Sequence, residues 1–275
     1  MSGLLCYLRA DFKKTKGLSI RVAHIAIPVA ASAVFLVCYM HSSWESHVKI
    51  EAYFQVLGIG FPFLISVFCA MLAEQELFAG AYQNLLSVPK RPAAFFSKWL
   101  LLVLSGAGAV LLASVLFGAG FSLLQGEQNV SGAFYPAAAL ILLCGNLFLY
   151  VLHLFLALCM NKGVTLGAGI VESLLSALLL TGMGEGVWFF VPPAWGPRLV
   201  TVLLRACDMP AGYAAGGHAT GGPVYGAAFL QKFNAYVMID TDCRTALLTC
   251  AALTAGALAA FLLWARRWDG VRGNE

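Results

Sequence analysis

Apolar positions along the chain gather into six long runs, at about 20–41, 52–73, 96–124, 134–160, 163–182 and 244–264, parted by short polar or basic passages. A helix needs roughly 20 apolar residues to cross a bilayer, and each run approaches or exceeds that length. The pattern predicts an all-α integral membrane protein with six transmembrane helices. No remaining piece is both long and apolar enough to build a separate soluble core, so residues 1–275 read as a single membrane domain. Ahead of the first run, residues 1–19 form an amphipathic approach: Leu4, Leu5, Leu8 and Phe12 share one face, with Arg9, Lys13 and Lys16 opposite. Such a helix lies in the headgroup plane. The run from Leu18 to Met40 is too long for the apolar core of a signal peptide and lacks a convincing cleavage site, so it reads as a retained first span with Pro28 inside it.

The one long polar passage between spans on the side rich in Lys and Arg runs from Glu74 to Lys98. Its first half has helical spacing, with Leu77, Tyr82, Leu85 and Leu86 on an apolar side and Glu74, Gln75, Glu76, Gln83 and Asn84 on a polar one. Pro89 removes a backbone donor and stops that helix, whereas Pro92 suits the first turn of the next. Residues 74–98 are therefore expected to form a short amphipathic helix, a turn and a restart, the helix and turn falling within 74–91. From Pro92 one helix runs to about Leu124, longer than the hydrocarbon core of about 30 Å. Its first turns lie at the membrane surface, where Lys98 and Trp99 are expected to act as interface anchors.

Several polar or small residues interrupt the spans. Gly58, Gly60 and Pro62 predict a bend in the second. The fourth reads as one continuous helix with Asn146, Tyr150 and His153 on one side. That stripe has two readings, the lining of a substrate cavity or subunit seam and, the simpler one, interhelical hydrogen bonding that holds the bundle. Glu172 stands midway along the fifth span, where an acid costs about 2.5–3.5 kcal/mol. It requires a partner, water or a proton; His153 is a candidate partner, and a role in substrate passage is a hypothesis. The sixth span carries a ridge of Ala252, Gly256 and Ala260 that permits close packing within the chain or with a neighbour.

Between the fifth and sixth spans, residues 183–243 hold Glu185, Trp188, Pro192 and Trp195 and then a Gly-rich stretch from Gly212 to Gly226. Aromatics and prolines at a membrane edge predict a chain that dips into the interface and returns. In the first outer loop, His41, Glu45, His47 and Glu51 lack the tight spacing of metal ligands and read as a solvated loop.

Composition supports the membrane class: 60% of residues are hydrophobic and 11% charged, against about a quarter charged in soluble domains. Of 17 Lys and Arg residues, twelve flank the spans on one side, in the N-terminus, the second loop, Lys162 and the tail, which predicts cytoplasmic N- and C-termini. This bias accounts for the net charge of +4, so nucleic acid is not implied. Five of the eight cysteines lie in apolar runs as small hydrophobes, while Cys207 and Cys243 fall in one outer segment where a disulfide could form. No phosphate-binding loop, nucleophile elbow or zinc-protease motif occurs, so no catalytic residue, metal site or cofactor is assigned to this chain. If it moves a solute, the energy comes from a partner.

The order Glu76, Gly80, Tyr82, Leu85, Leu86, Pro89, Arg91, Phe95 and Lys98 resembles the loop after the second span in permeases of the ABC-2 class. The wording Gly80-Ala-Tyr-Gln-Asn-Leu-Leu-Ser-Val-Pro89 is similar, more narrowly, to the lantibiotic-immunity permeases of the G type. So are the pattern around Glu185, Trp188, Pro192 and Trp195 and the ending Trp264-Ala-Arg-Arg-Trp268. The resemblance implies a bacterial plasma-membrane permease whose Glu76–Arg91 segment is the coupling helix for a separate ATPase, present in two copies that bind ATP and magnesium. It further implies a second permease subunit, a sister chain or another copy, and expulsion of a lantibiotic peptide from membrane lipid for self-protection. An exporter of another cargo, or a sensor or scaffold that does not transport, shares much of the pattern. The long Gly212–Gly226 insert departs from the family's and leaves the cargo open.

Overall fold

The computed structural model describes residues 2–125, 130–208 and 240–270, and every helix or strand assigned among them is helical. α1 (Ser2–Lys14) precedes α2 (Ser19–Met40) across a tight turn. Arg21 fastens that turn, its Nε donating to Thr15 Oγ1 at 3.2 Å and an Nη to the Phe12 carbonyl. The predicted amphipathic face of α1 is narrower than expected: Leu4, Leu8 and Phe12 pack partly inward, while Leu5 points outward.

α3 (Ser46–Phe78) and α5 (Arg91–Gln125) are the two long helices, of 33 and 35 residues, and carry the second and third spans with extensions past the hydrocarbon. α3 continues through Pro62. The Oγ of Ser173 accepts a hydrogen bond from the Phe63 N–H at 3.2 Å beside this proline, which helps keep the backbone satisfied. Ser173 belongs to α8 (Lys162–Leu179), which starts on an Asn161 cap whose side chain accepts from Val164 N at 2.9 Å. The α3–α8 crossing is close because Gly169 faces Ser66. A Cβ there would stand 2.3 Å from Ser66 Oγ and 3.2 Å from Phe63 Cα.

The fourth span is not the continuous helix that its apolar run suggests. It divides into α6 (Phe134–Gly145) and α7 (Leu147–Cys159), bent by 45° about Asn146. The cause lies across the bundle: α9 (Pro192–Asp208) crosses at this point, and a Cβ on Gly145 would stand 2.6 Å from Gly196 N. Asn146 Nδ2 donates to the Leu142 carbonyl at 2.7 Å, taking up one of the acceptors that the break frees.

The aromatic and proline-rich passage after α8 forms short helical turns and then α9 between the fifth and sixth spans. Trp188 and Trp195 are buried in protein with Leu199, Val202, Cys243 and Ala246, and do not line a membrane interface. Trp195 Nε1 donates to the Phe189 carbonyl at 2.9 Å, so the indole is enclosed without an unmet donor. Glu185 is exposed and pairs with Arg198 at 2.8 Å; Arg198 also donates to the Leu179 and Thr181 carbonyls, closing the end of α8. Pro192 opens α9.

α10 (Thr241–Arg267) is capped by Asp240 and exposes the ridge of Ala252, Gly256 and Ala260 rather than burying it within the chain. Cys243 is buried, and the side chain of Cys207, with which a disulfide could form, lies outside the described residues, as does the Gly212–Gly226 stretch. Among the described residues no three potential ligands gather as a metal site, His41, Glu45, His47 and Glu51 included.

Candidate functional site

Two polar constellations stand out in this apolar bundle. The first occupies its basic end, where α3 leaves the apolar run and continues to Phe78. Glu74, Gln75 and Glu76 are thus the end of a long helix, not the start of a short one. The chain then turns through left-handed backbone at Gly80 (φ 129°), Ala81 (48°) and Tyr82 (66°). Only one helical turn follows, α4 (Gln83–Leu86), before α5 begins at Arg91 with Pro92 in its first turn. The expected amphipathic helix is therefore cut in two, because a left-handed stretch cannot belong to a right-handed helix.

Glu76 is the larger correction. Helical spacing assigns it to the polar, outward side, yet it is 1% exposed. Lys98 Nζ donates to Glu76 Oε1 at 2.7 Å and to Asp11 Oδ1 at 2.9 Å, and Lys14 Nζ reaches Glu76 Oε1 at 3.0 Å. Ser97 Oγ donates to Asp11 Oδ2 at 2.6 Å. Lys98 is thus no interface anchor; it is a buried cation between two carboxylates, and Trp99 beside it is buried too. Two buried acids face the buried Lys98, and the half-exposed Lys14 supplies the second positive charge. The cluster joins three elements: α1 through Asp11 and Lys14, the end of α3 through Glu76, and the start of α5 through Ser97 and Lys98.

The loop is held from its other side by the end of α10. Tyr82 and Trp268 stack edge to face at 5.1 Å between centroids, and Phe95 lies 5.5 Å from Trp268. Arg91 bridges the two segments, donating from Nε to the Leu86 carbonyl at 3.1 Å and from Nη1 to the Trp268 carbonyl at 3.2 Å. Leu85 is buried beneath α4, and Leu86 is half-buried. Of the residues expected to meet a partner, Tyr82 and Leu85 therefore face inward, whereas Gly80 and Pro89 remain exposed. What projects is a knob of Phe78, Ala79, Gly80, Ala81, Gln83 and Asn84. Phe78, 82% exposed, is the residue that reading the sequence missed. Its signal was present: one large aromatic in a polar loop, off the face formed by Leu77, Tyr82 and Leu85.

The second constellation lies within the spans. His153 Nε2 and Glu172 Oε2 are 2.6 Å apart, His153 fully buried and the Glu172 side chain 14% exposed. The spacing argument that set Asn146, Tyr150 and His153 on one side of a helix survives only for the latter two, since Asn146 is the break itself. Tyr150 is buried against Gly106, where its hydroxyl takes the space of a β-carbon, and its carbonyl faces Cys69 Sγ at 3.9 Å. The acid predicted to need a partner has one.

Among the described residues five helices are long and apolar enough to cross a membrane, and the bent pair α6–α7 makes a sixth when taken as one span. With a projecting knob fastened at its base by buried charges, they describe a multi-span membrane subunit of the transporter type. Residues 7–178, well over half of the chain, match the family described as ABC-2 family transporter protein, and the chain belongs to that family. It is a multi-pass protein of the bacterial plasma membrane, the permease part of an ABC transporter, working with an ABC ATPase subunit. The match spans α1 to α8 and so includes both constellations. Neither the curated proteins nor the solved structures contain a match.

Proposed function

We propose that this permease expels a lantibiotic or related bacteriocin peptide from the membrane, protecting the cell that makes or meets it. Two copies of the ATPase, holding ATP and magnesium, and a second permease, sister chain or copy, complete the exporter. The basic end lies in the cytoplasm, and the projecting knob receives the ATPase. The observation that supports this reading is the buried ionic cluster at the knob's base. A surface that is to transmit force must not yield locally, and Glu76 ties the root of the knob to both α1 and α5. Phe78 supplies the aromatic anchor that a docking pocket would take. Glu76, Tyr82, Leu85, Leu86 and Arg91 then serve coupling by shaping the knob, with Gly80 and Pro89 on its surface. The cargo rests on the wording of the Gly80–Pro89 loop and of the Trp188 to Trp195 passage.

The test is to co-express the chain with its ATPase in a lantibiotic-sensitive bacterium and to measure both growth inhibition and ATPase recovery on purification. Wild type should raise the inhibitory concentration, and Phe78→Ala should lower both protection and ATPase recovery by about tenfold, the loss of one interface anchor of about 1.4 kcal/mol. ATPase recovered in a Phe78-dependent way without protection would retain the exporter and reject the cargo. Recovery unaffected by Phe78→Ala would reject the docking site.

A further inference from the structure

We propose that an anionic phospholipid lodges in the groove between α2 and α5, its phosphate at Arg21 and an acyl chain along the apolar walls. This inference is independent of the exported cargo. The groove measures about 380 Å³, within the range of small-molecule sites. Thr15, Arg21 and Ser105 supply polar groups to its lining, and Ile25, Leu101 and Leu112 apolar ones. Arg21 is the third residue of α2, at the basic end of the first span, and α2 leaves much of its apolar surface uncovered, with Val22 and Ile25 63% and 61% exposed. One basic group above an apolar slot open to the bilayer is the complement of a phospholipid rather than of a water-soluble anion.

The guanidinium is already oriented. Its Nε and one Nη are held by Thr15 Oγ1 and the Phe12 carbonyl, and its carbon lies 5.9 Å from the Phe12 ring centre. Of its five N–H donors, those on the other Nη are left for a phosphate oxygen. The surrounding charge has one sign. Asp11, the acid of α1, is turned away and committed to Ser97 and Lys98, while Arg9, Lys13 and Lys16 are exposed. The inner end of the groove is closed. His24 stacks on Phe68 at 3.7 Å, its Nδ1 2.7 Å from the Ile20 carbonyl, and divides the groove from a cavity of only about 40 Å³ beneath Tyr150. A lipid would thus be held there rather than passed through.

Gly108 gives a clean probe, because it borders the groove and a Cβ there meets no atom within 4 Å. Gly108→Phe fills the slot while removing a helix-interior glycine, which favours the helix. The experiment is native mass spectrometry of the chain, with whatever partners accompany it, in mild detergent containing equal amounts of dioleoylphosphatidylglycerol and dioleoylphosphatidylcholine. Wild type should retain one phosphatidylglycerol per chain, preferred about fivefold, the effect of one basic group near an anionic surface. Gly108→Phe should lose that lipid, and Arg21→Gln should bind both lipids equally. Equal retention of the two lipids by wild type, or unchanged retention by Gly108→Phe, would mean only annular lipid is present and would overturn the proposal.

Discussion

Glu76 and Lys98 have side chains 2% and 3% exposed, so each depends on the other's charge. Without Glu76, Lys98 keeps only Asp11 as a partner, and loss of the second buried carboxylate costs up to about 3–5 kcal/mol. Glu76→Ala is accordingly expected to lower the melting temperature in detergent and to free α1 for proteolysis, with Glu76→Gln milder because its amide oxygen still accepts from Lys98. A Glu76→Ala protein that melts like wild type, with α1 still protected, would show the cluster to be dispensable. The pair of His153 and Glu172 calls for a double-mutant cycle. His153→Leu and Glu172→Leu should each cost about 1–2 kcal/mol, in keeping with polar contacts between membrane helices. The double variant should cost less than their sum, and strict additivity would show that the 2.6 Å contact carries no energy. For transport, Glu172→Gln decides the older question: unchanged export would end any role of this acid in the substrate's passage. Glu172's need for a partner was legible in the sequence, as was a plausible candidate. The inward turn of Glu76 was not, because periodicity gives a residue's face on its helix and not what that face meets.

Helix boundaries followed the apolar runs well, and the exceptions occur where one helix meets another. α3 and α8 approach through Gly169, and Gly169→Leu is expected to lower stability by about 1–3 kcal/mol through overpacking against Ser66 and Phe63. Thermal melting beside Gly169→Ala, which demands a smaller shift, would check the dependence on size; equal melting of the two would refute the close approach. The break at Asn146 has the same origin. The run from 134 to 160 holds no proline after Pro136 to announce it, and Gly145-Asn146 becomes a bend because Gly196 needs the space. The loop between α3 and α5 mixes both cases. Pro89 and Pro92 marked its end correctly, whereas left-handed backbone at Ala81 and Tyr82, beside an unsurprising glycine, could not be read from residue types that ordinarily avoid it.

The bundle has two ends of different character, and the proposed orientation can be tested directly. Ser87 lies exposed in the loop at the basic end, and Glu185 lies exposed beyond α8 at the other. In intact cells a membrane-impermeant maleimide should label Glu185→Cys above the background of the native cysteines and should leave Ser87→Cys unlabelled until the cells are opened. The reverse pattern would invert the protein and place the knob out of reach of any cytoplasmic ATPase.

The sequence by itself determined that this is an all-α membrane protein, where its spans run, that the polar loop follows the second of them, and which side is basic. These properties are local. A backbone in lipid must satisfy its own hydrogen bonds, so twenty apolar residues in a row suffice to specify a helix. The tertiary structure alone decided which polar side chains turn inward and which remain for a partner. Lys98 finds Asp11 from 87 residues away, and Arg91 finds the Trp268 carbonyl from 177. Such contacts depend on how separate helices pack, and packing is set by the shapes of surfaces that the linear pattern does not encode.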